Sequence, residues 1–233
     1  MIKLIGKPAS ERSGKAARIA EKDRAIALSA RKHFLRNGFG GASMDAIANS
    51  AGVSVKTLYS HFADKNELFS KVMVEACSDH FFAEIVLSEE VLAKRFPWFS
   101  MASRRGLFEA GKEYLIHLLS EEQLALYRVV TRDADRFPEL GEQYQQTIAR
   151  GRTAILVAYL RSTYHKKKWT QRNAEEDAVF YEGLLRARIF EPALHGVLKA
   201  STRNIEECAA FASRTMWIVF RSSNQYVSGT MGV

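Results

Sequence analysis

The feature that most constrains the fold is a pair of short amphipathic segments joined by a turn at Gly52. Ser43 is a predicted N-cap, and the apolar residues between Met44 and Ala51 recur at helical spacing. Gly52 suits the left-handed turn that ends this helix, and Ser54 caps a further short helix over Val55 to Ser60. Two short helices joined by a tight glycine turn are typical of a helix-turn-helix, whose second helix lies in the major groove of DNA.

Helical periodicity extends over the rest of the chain and strand-like alternation is nowhere sustained, so the predicted fold class is all-α. A first helix is predicted from about Ala17 to Asn37, with Asn37-Gly38 as its stop. Asp64 caps a fourth predicted helix, with Glu67 placed as in a capping box. The apolar face of this helix continues to Ile85, which is long enough to connect two domains. Further helices are predicted at roughly 98 to 119, 121 to 135, 138 to 165, 173 to 198 and 203 to 222.

Positive charge is concentrated at the N-terminal end of the chain. Residues 1–63 hold 11 Lys and Arg against 4 Asp and Glu, so they carry +7 of the formal net charge of +8. This asymmetry indicates a contact with nucleic acid or with an anionic membrane, and a solvated basic tail on an unrelated fold is the alternative. The basic arm that holds Lys7, Arg12, Lys15 and Arg18 either enters a minor groove or is disordered.

The sequence lacks the residues that several classes of function require. The longest wholly apolar run, Ala154 to Leu160, is far shorter than the roughly 20 residues of a membrane-spanning helix. The sequence contains no HExxH or GxSxG motif, and Ser13-Gly14-Lys15 lacks the preceding glycine of a phosphate loop. No catalytic residue, metal site or cofactor is therefore predicted. The N-terminus has no secretory signal, and Cys77 and Cys208 fit a reducing compartment, so we expect a cytoplasmic protein.

The segment SMDAIANSAGVSVKTLYSHFADKNELF, Ser43 to Phe69, resembles the DNA-binding signature of the TetR/AcrR family of bacterial transcription regulators. The matching residues are Ile47-Ala48, Ala51-Gly52-Val53-Ser54, Thr57-Leu58-Tyr59, His61-Phe62 and Lys65. A narrower similarity relates LYRVVTRDADRFPELGEQY, Leu126 to Tyr144, to the C-terminal domain of the AefR-like subgroup. The resemblance implies that an effector-binding and dimerisation domain follows the fourth helix, with its last two helices paired between protomers.

The resemblance and the chemistry of the side chains together define the predicted DNA contacts. Groups suited to hydrogen bonding with phosphate oxygens belong to Ser43, Thr57, Tyr59, His61 and Lys65. Val55, Lys56 and Thr57 lead the recognition helix and are candidates for base contacts, because Lys reaches guanine O6 and N7 and a methyl group contacts thymine. Half-buried packing is the alternative for Tyr59, a cap or gap-filling role is the alternative for His61, and Lys56 contacts either a base or a phosphate.

The same resemblance divides the chain into a basic flexible arm (1–17), a helix-turn-helix domain (18–68), a helical effector-binding and dimerisation domain (69–222) and a flexible tail (223–233). Pocket candidates are the aromatic and polar residues Trp98, Phe108, Tyr114, His117, Tyr127 and Arg128. Candidates for the dimer interface are Phe180, Leu184, Phe211 and Trp217. Core packing is the alternative for both sets, because an aromatic residue at helical spacing is typical of a core.

The sequence thus predicts a homodimeric transcription regulator that binds double-stranded DNA at a near-palindromic operator. The family resemblance implies a repressor that is released when a small, largely apolar effector enters the C-terminal domain and acts through the fourth helix. The alternative is a helical membrane-surface or partner-binding protein whose basic N-terminal end contacts anionic lipid.

Overall fold

The computed structural model describes residues 9–78, 89–169 and 172–228. Regular structure in these ranges is entirely helical, as predicted. The helices are α1 (Ala9–Gly41), α2 (Met44–Ala51), α3 (Val55–His61), α4 (Lys65–Ser78), α5 (Glu89–Arg95), α6 (Arg104–Leu118), α7 (Glu121–Asp133), α8 (Pro138–Tyr144), α9 (Arg150–Lys167), α10 (Ala174–Arg186), α11 (Phe190–Leu194) and α12 (Thr202–Ser228). A 3₁₀ turn at Pro97–Ser100 precedes α6, and a π-helical turn at Gln145–Ala149 joins α8 to α9. None of the described helices is long and apolar enough to cross a bilayer.

The chain forms two compact units. The first unit comprises Met1–Ala76 and Val129–Gln143, and the second comprises Cys77–Arg128 and Tyr144–Val233. The segment Val129–Gln143 therefore belongs to the unit that contains the N-terminal helices, although its position in the sequence had assigned it to the C-terminal domain.

An aromatic core holds the first unit together. Phe34, Phe39 and Phe69 are each at most 2% exposed, and the centroids of their rings lie 5.0 to 5.7 Å apart. Phe137, from the second segment of this unit, packs edge-on against Phe39 at 4.8 Å. Burial of one such side chain stabilises the folded state by about 1.5–3 kcal/mol. The cluster therefore fixes α1 and α4 against each other and fastens Val129–Gln143 to them.

The second unit is a bundle in which α6 packs on α12, α9 packs on α10, and α10 packs on α12. Its core contains buried tyrosines whose hydroxyls find backbone acceptors. Tyr181 is fully buried and donates to the Leu107 carbonyl at 2.6 Å, and Tyr159 donates to the Met101 carbonyl at 2.8 Å. A buried hydroxyl without a partner is costly, so these two bonds fix the position of α6 and of the loop before it.

Some predicted helix boundaries differ from the observed ones. α1 begins at Ala9, before the predicted start at Ala17, and continues to Gly41 past a local break at Gly38. The predicted helix at 98–119 is instead a 3₁₀ turn followed by α6, and α5 was not predicted. Residues 1–8 of the basic arm lie outside the described residues, as does the predicted continuation of α4 from 79 to Ile85.

Differences also occur near the C-terminus. The single helix predicted over 173–198 is wrong, because α10 ends at Arg186 and α11 starts at Phe190. Pro192 explains this break, since it has no amide to donate and its ring clashes with the carbonyl four residues earlier in a continuous helix. α12 continues to Ser228, past the predicted helix end at 222, because each residue added to an existing helix gains a hydrogen bond at little cost.

Candidate nucleic-acid interface

The helix-turn-helix of the first unit is defined by its caps and by one left-handed residue. Ser43 accepts a hydrogen bond from the Ala46 amide at 3.1 Å and so caps α2. Gly52 follows α2 with φ 69° and ψ 28°, a conformation that residues with a Cβ rarely adopt. Ser54 then caps α3 by accepting from the Thr57 amide at 3.0 Å. The sequence predicted all three of these positions.

Apolar residues on the inner faces of α2 and α3 fix the angle between these helices. Ile47, Ala48 and Leu58 are fully buried, and Phe62 is 5% exposed. The buried hydroxyl of Ser29 in α1 donates to the Ile47 carbonyl at 3.1 Å, which ties α1 to α2. α3 is therefore held by its inner face, and its outer face carries exposed side chains.

The outer face of α3 carries the residues predicted to contact DNA. Lys56 is exposed, and the side chain of Tyr59 remains 51% exposed although it is large and aromatic. Val55 and Thr57 are partly buried, and the Thr57 hydroxyl shares a hydrogen bond of 2.8 Å with Ser54. About half of Tyr59 is thus covered by the protein and half faces solvent, so half-buried packing stays an alternative and its contact with DNA stays a prediction.

His61 has a partner that the sequence did not reveal. Its Nδ1 lies 2.5 Å from Oδ1 of Asp23 in α1, and the side chain of His61 is only 13% exposed. If Nδ1 donates to Asp23, the neutral ring presents Nε2 as an acceptor, which a phosphate oxygen would repel. A contact between Nε2 of His61 and a phosphate oxygen therefore requires a proton on both ring nitrogens.

Lys65, at the start of α4, is also partly engaged within the protein. Its Nζ donates to the Ala42 carbonyl at 3.1 Å and lies 4.7 Å from the centroid of the Phe39 ring. Burial, and then the positive charge of Arg136, lower the pKa of Lys65. An ammonium has three N–H donors, so the bond to Ala42 leaves two of them for a phosphate oxygen. The same bond fixes the position of the Lys65 ammonium next to the end of α1.

The end of α1 is anchored by a carboxylate from the second segment of the same unit. Asp133 accepts hydrogen bonds from the amides of Phe39 at 2.6 Å and Gly40 at 3.4 Å. These amides are available because Gly38 breaks the helix with φ 77°, and a Cβ at Gly38 would collide with the Arg132 guanidinium. Burial raises the pKa of Asp133, but the hydrogen bonds from Arg132 and Phe39 outweigh it, so this pKa lies below its usual value.

The pocket candidates of the second unit fall into separate environments. Tyr114 is fully buried, and Trp98 is 6% exposed and packs on Tyr159 at 5.4 Å. Phe108 lies under Lys112 and lines a surface groove between α6 and α12, and His117 is partly buried on α6. Whether these residues belong to one pocket stays a prediction.

Tyr127 and Arg128 lie beside α11. The ring of Tyr127 packs edge-on against Tyr144 at 5.6 Å and Phe190 at 5.2 Å. The guanidinium of Arg128 donates to the carbonyls of Leu194 and Ala193 at 2.7 and 3.1 Å. Arg128 therefore satisfies the C-terminal end of α11, where a cation is favourable, and this bonding is a structural role in addition to the predicted one.

The dimer candidates lie on α10 and α12. Phe180 is 46% exposed and Phe211 is 38% exposed, whereas Leu184 and Trp217 are partly buried. Val179 of α10 and Ile218 of α12 are also exposed apolar residues, at 63% and 60%. Phe211 and Ile218 are seven residues apart and so share one face of α12, which is the arrangement of a helix that packs against a partner. Of the apolar residues in this region, Leu185, Ile189, Phe190 and Met216 are instead buried within the chain.

Comparisons with known proteins agree with this architecture. The sequence model of the tetR family of bacterial regulatory proteins matches residues 26–72, and that of the C-terminal domain of AefR-like transcriptional repressors matches residues 105–220. A comparison with curated proteins gave no match.

Solved structures give the same result. A TetR-family transcriptional regulator from Mesorhizobium loti is 26% identical with a TM-score of 0.72, over 87% of this chain and 98% of the other. The flavonoid-responsive regulator FrrA is 23% identical with a TM-score of 0.67, over 86% and 97% of the two chains. A TetR regulator from Agrobacterium tumefaciens is 18% identical with a TM-score of 0.62, over 85% and 93%.

Both family matches fall on the elements described above, the first on the helix-turn-helix with α4 and the second on α6 to α12. Together they cover more than half of the chain, and they agree with the capped turn at Gly52 and with the all-helical second unit. The chain therefore belongs to the TetR/AcrR family of bacterial transcriptional regulators, with an AefR-like C-terminal domain.

Proposed function

We propose that this protein is a dimeric repressor that binds a near-palindromic operator in the cytoplasm and leaves it when a small molecule binds to the second unit. The observation that carries the proposal is the outer face of α3, where Lys56 and the half-exposed Tyr59 project from a helix that buried Leu58 holds in place. No catalytic step is part of this function.

The proposed division of labour on DNA follows from position. Lys56 lies in the first turn of α3, which is the part of a recognition helix that reaches base edges. Tyr59, His61, Ser43 and Lys65 flank this turn and supply donors for phosphate oxygens, which position the protein without reading sequence. In a dimer the two copies of α3 meet successive major grooves about 34 to 36 Å apart.

The exposed apolar surface of α10 and α12 is the proposed dimer face. Phe180 and Phe211 are large side chains that a monomer leaves partly in water, and burying them against a second copy removes this cost. Phe180→Asp should therefore yield a monomer in sedimentation velocity experiments. Val197→Asp is the matched control, because Val197 is 83% exposed and lies after α11, and this variant should remain dimeric. A dimeric Phe180→Asp variant would exclude this residue from the interface.

The DNA proposal is tested by fluorescence anisotropy at two salt concentrations. The purified protein is titrated into a labelled duplex from upstream of its own gene and into a scrambled duplex. Specific binding means at least a thousandfold preference for the first duplex. Weak, equal and steeply salt-dependent binding to both duplexes would contradict an operator at this position and would direct the test to lipid vesicles.

Two variants separate the proposed contacts. Tyr59→Phe removes one hydroxyl and should weaken binding to every sequence by a similar factor. Lys56→Ala should change the preferred base at one half-site position by about 1–3 kcal/mol if its contact is bidentate. Lys94→Ala is the control, because it removes the same charge from an exposed position of α5. A uniform loss in Lys56→Ala would show that Lys56 contacts phosphate alone.

The proposed effector acts through thermodynamic linkage between its own binding site and the DNA-binding site. A small molecule that binds more tightly to the DNA-free form weakens DNA binding by the same free energy, typically about 1–3 kcal/mol. The sign of this coupling is measured by repeating the titration of the operator duplex at saturating effector.

A further inference from the structure

The second unit contains a buried arginine whose hydrogen-bonding capacity is only partly used. Arg152, near the start of α9, is 3% exposed. Its Nη2 donates to the hydroxyl of Tyr144 at 3.1 Å, and its guanidinium lies 5.8 Å from the centroid of the same ring. Its Nη1 is buried and has no hydrogen-bond partner among the described residues. Arg152 also forms no ion pair with a carboxylate in the described part of the chain.

This arrangement is unfavourable for a protein without a ligand. A guanidinium remains charged at any pH at which the protein is folded, so burial cannot be relieved by losing a proton. Buried charges in proteins are normally paired with an opposite charge and fully hydrogen-bonded. The Tyr144 hydroxyl is a neutral acceptor and satisfies one nitrogen. An anion that accepts from Nη1 would supply both the missing bond and the missing charge.

The acidic side chain that interacts with Arg152 does not serve as this anion. Glu182, on α10, interacts with Arg152 through space, but its hydrogen bonds come from the hydroxyls of Thr153, at 2.8 Å, and Tyr114. Burial raises the pKa of Glu182, and the Thr153 hydrogen bond and the Arg152 charge offset this only in part. Glu182 therefore interacts with the guanidinium only through space and does not accept a hydrogen bond from its Nη1.

Aromatic side chains surround the same place. Tyr144 packs edge-on against Tyr127, which in turn packs edge-on against Phe190. Tyr114 is fully buried and lies within electrostatic range of Arg152, Tyr144 and Glu182. The π-helical turn at Gln145–Ala149 lies between Tyr144 and Arg152 in the sequence, and such turns occur frequently at functional sites.

A surface groove adjoins this cluster at Glu182, which interacts electrostatically with Arg152, and at Phe190, which packs on Tyr127. A groove of about 400 Å³ is lined by Glu182, Arg186 and Phe190, among others, and this volume lies within the range of small-molecule sites. The Arg186 guanidinium lies 4.2 Å from the centroid of the Phe190 ring, and Glu182 and Glu191 line the same groove, so its wall combines an aromatic ring with charges of both signs.

We propose that Arg152 anchors the effector and that the effector is a small aromatic carboxylic acid, whose carboxylate accepts a hydrogen bond from Nη1. This inference rests on the proposed effector-released function, and it adds one negative charge to the largely apolar molecule expected from the sequence. A single carboxylate matches the single unpaired nitrogen, and an aromatic ring matches the edges of Tyr127 and Tyr144.

The first test measures binding by isothermal titration calorimetry in the absence of DNA. The probes are benzoate, cinnamate and 2-naphthoate, each compared with its neutral amide. At least one acid should bind the wild-type protein ten times more tightly than its amide, and Arg152→Met should abolish that preference while it retains the amide affinity. Arg203→Met is the control, because Arg203 lies on the surface of α12 with its side chain 90% exposed, and it should behave as wild type. If no acid binds more tightly than its amide, the proposal is overturned.

The charge of Glu182 provides a variant with the opposite expected effect. Glu182→Gln keeps an oxygen that accepts from Thr153 and replaces the carboxylate by a neutral amide, so the preferred acid should bind more tightly than it binds wild type. Weaker acid binding in Glu182→Gln would contradict the assignment of Arg152 as the anion anchor.

The stability of the ligand-free variants separates a ligand site from a structural ion. If Arg152 is held for a ligand, Arg152→Met removes an uncompensated buried charge, and the melting temperature of the ligand-free protein stays constant or rises. A clear fall in the melting temperature of Arg152→Met would indicate a structural role and would overturn the proposal.

Different results would contradict the proposed regulator and the proposed carboxylate effector. Specific operator binding without any acid preference leaves the proposed regulator intact and removes the carboxylate effector. Acid preference that depends on Arg152, with no effect on operator affinity, leaves the anion site intact and removes effector-controlled release.

Discussion

The anchor at Asp133 leads to a quantitative prediction about the end of α1. Asp133→Ala removes the acceptor of the Phe39 amide, which is 2.6 Å away, and that of the Gly40 amide, which is 3.4 Å away. The side chain of Asp133 is 15% exposed, so solvent screens these bonds only slightly. The shorter bond dominates, because a hydrogen bond weakens at the longer distance.

The expected cost follows from the charge of the acceptor. A hydrogen bond to a charged group contributes about 1.5–3 kcal/mol, so the loss should be about 2 kcal/mol, or roughly 30-fold in the equilibrium for opening this segment. The pKa of Asp133 gives the same sign. Because this pKa is below the ordinary value of 3.8 in the folded protein, the stabilisation is present above that value and is lost as the pH falls through the lower folded-state pKa.

Hydrogen exchange with residue resolution measures this effect where it occurs. Protection of the Phe39 amide should fall roughly 30-fold in Asp133→Ala, whereas the Leu58 amide, which donates to Ser54 in α3, serves as an internal reference and should change little. Asp135→Ala is the matched control, because Asp135 is exposed and two residues away. Unchanged protection of Phe39 in Asp133→Ala would refute the assignment of Asp133 as the anchor.

Two further predictions concern stability. Gly52→Ala should destabilise the first unit by about 1–2 kcal/mol in urea unfolding, because φ is 69° at this position. No neighbouring atom lies within 4 Å of the added Cβ, so no clash contributes to this cost. Gly141→Ala, in an equally open position of α8 without a positive φ, should stabilise the protein by up to about 1 kcal/mol. Equal effects of the two would contradict a conformational origin. Asp177→Ala should destabilise the second unit by about 3 kcal/mol, because Asp177 is the shared acceptor of the Tyr164 hydroxyl and of the nearly buried Arg172 guanidinium. An unchanged melting temperature of Asp177→Ala would show that this cluster contributes nothing to stability.

The DNA-binding half of the molecule could be predicted from sequence because its signals are local. A cap, a glycine and a short apolar stripe each act within one turn of a helix, so Ser43, Gly52 and Ser54 could be placed without tertiary information. The identity of the exposed residues on α3 follows from the same periodicity. The contacts of these residues with DNA stay predictions.

The partners of those residues depend on the tertiary structure. Asp23 lies 38 residues before His61, and Asp133 lies 94 residues after Phe39, so no spacing in the sequence connects them. The helix boundaries that were wrong have a different cause. Helical periodicity continues through Arg186 to Leu198, and the prediction gave too little weight to Pro192 as a break in that region.

Arg152 illustrates how a candidate anion site can be missed when only aromatic residues are considered. It lies two residues before Ala154–Leu160, the longest apolar run in the chain, but Arg150 and Arg161 flank the same run, so the sequence does not distinguish the buried arginine from its neighbours. Composition alone cannot distinguish a paired ion from an unpaired one, because the distinction depends on whether Glu182 bonds to Arg152 or to Thr153. Only the three-dimensional arrangement shows that Glu182 bonds to Thr153 and that Nη1 of Arg152 is left without a partner among the described residues. The proposed carboxylate of the effector therefore depends on the hydrogen bonding of this one nitrogen atom.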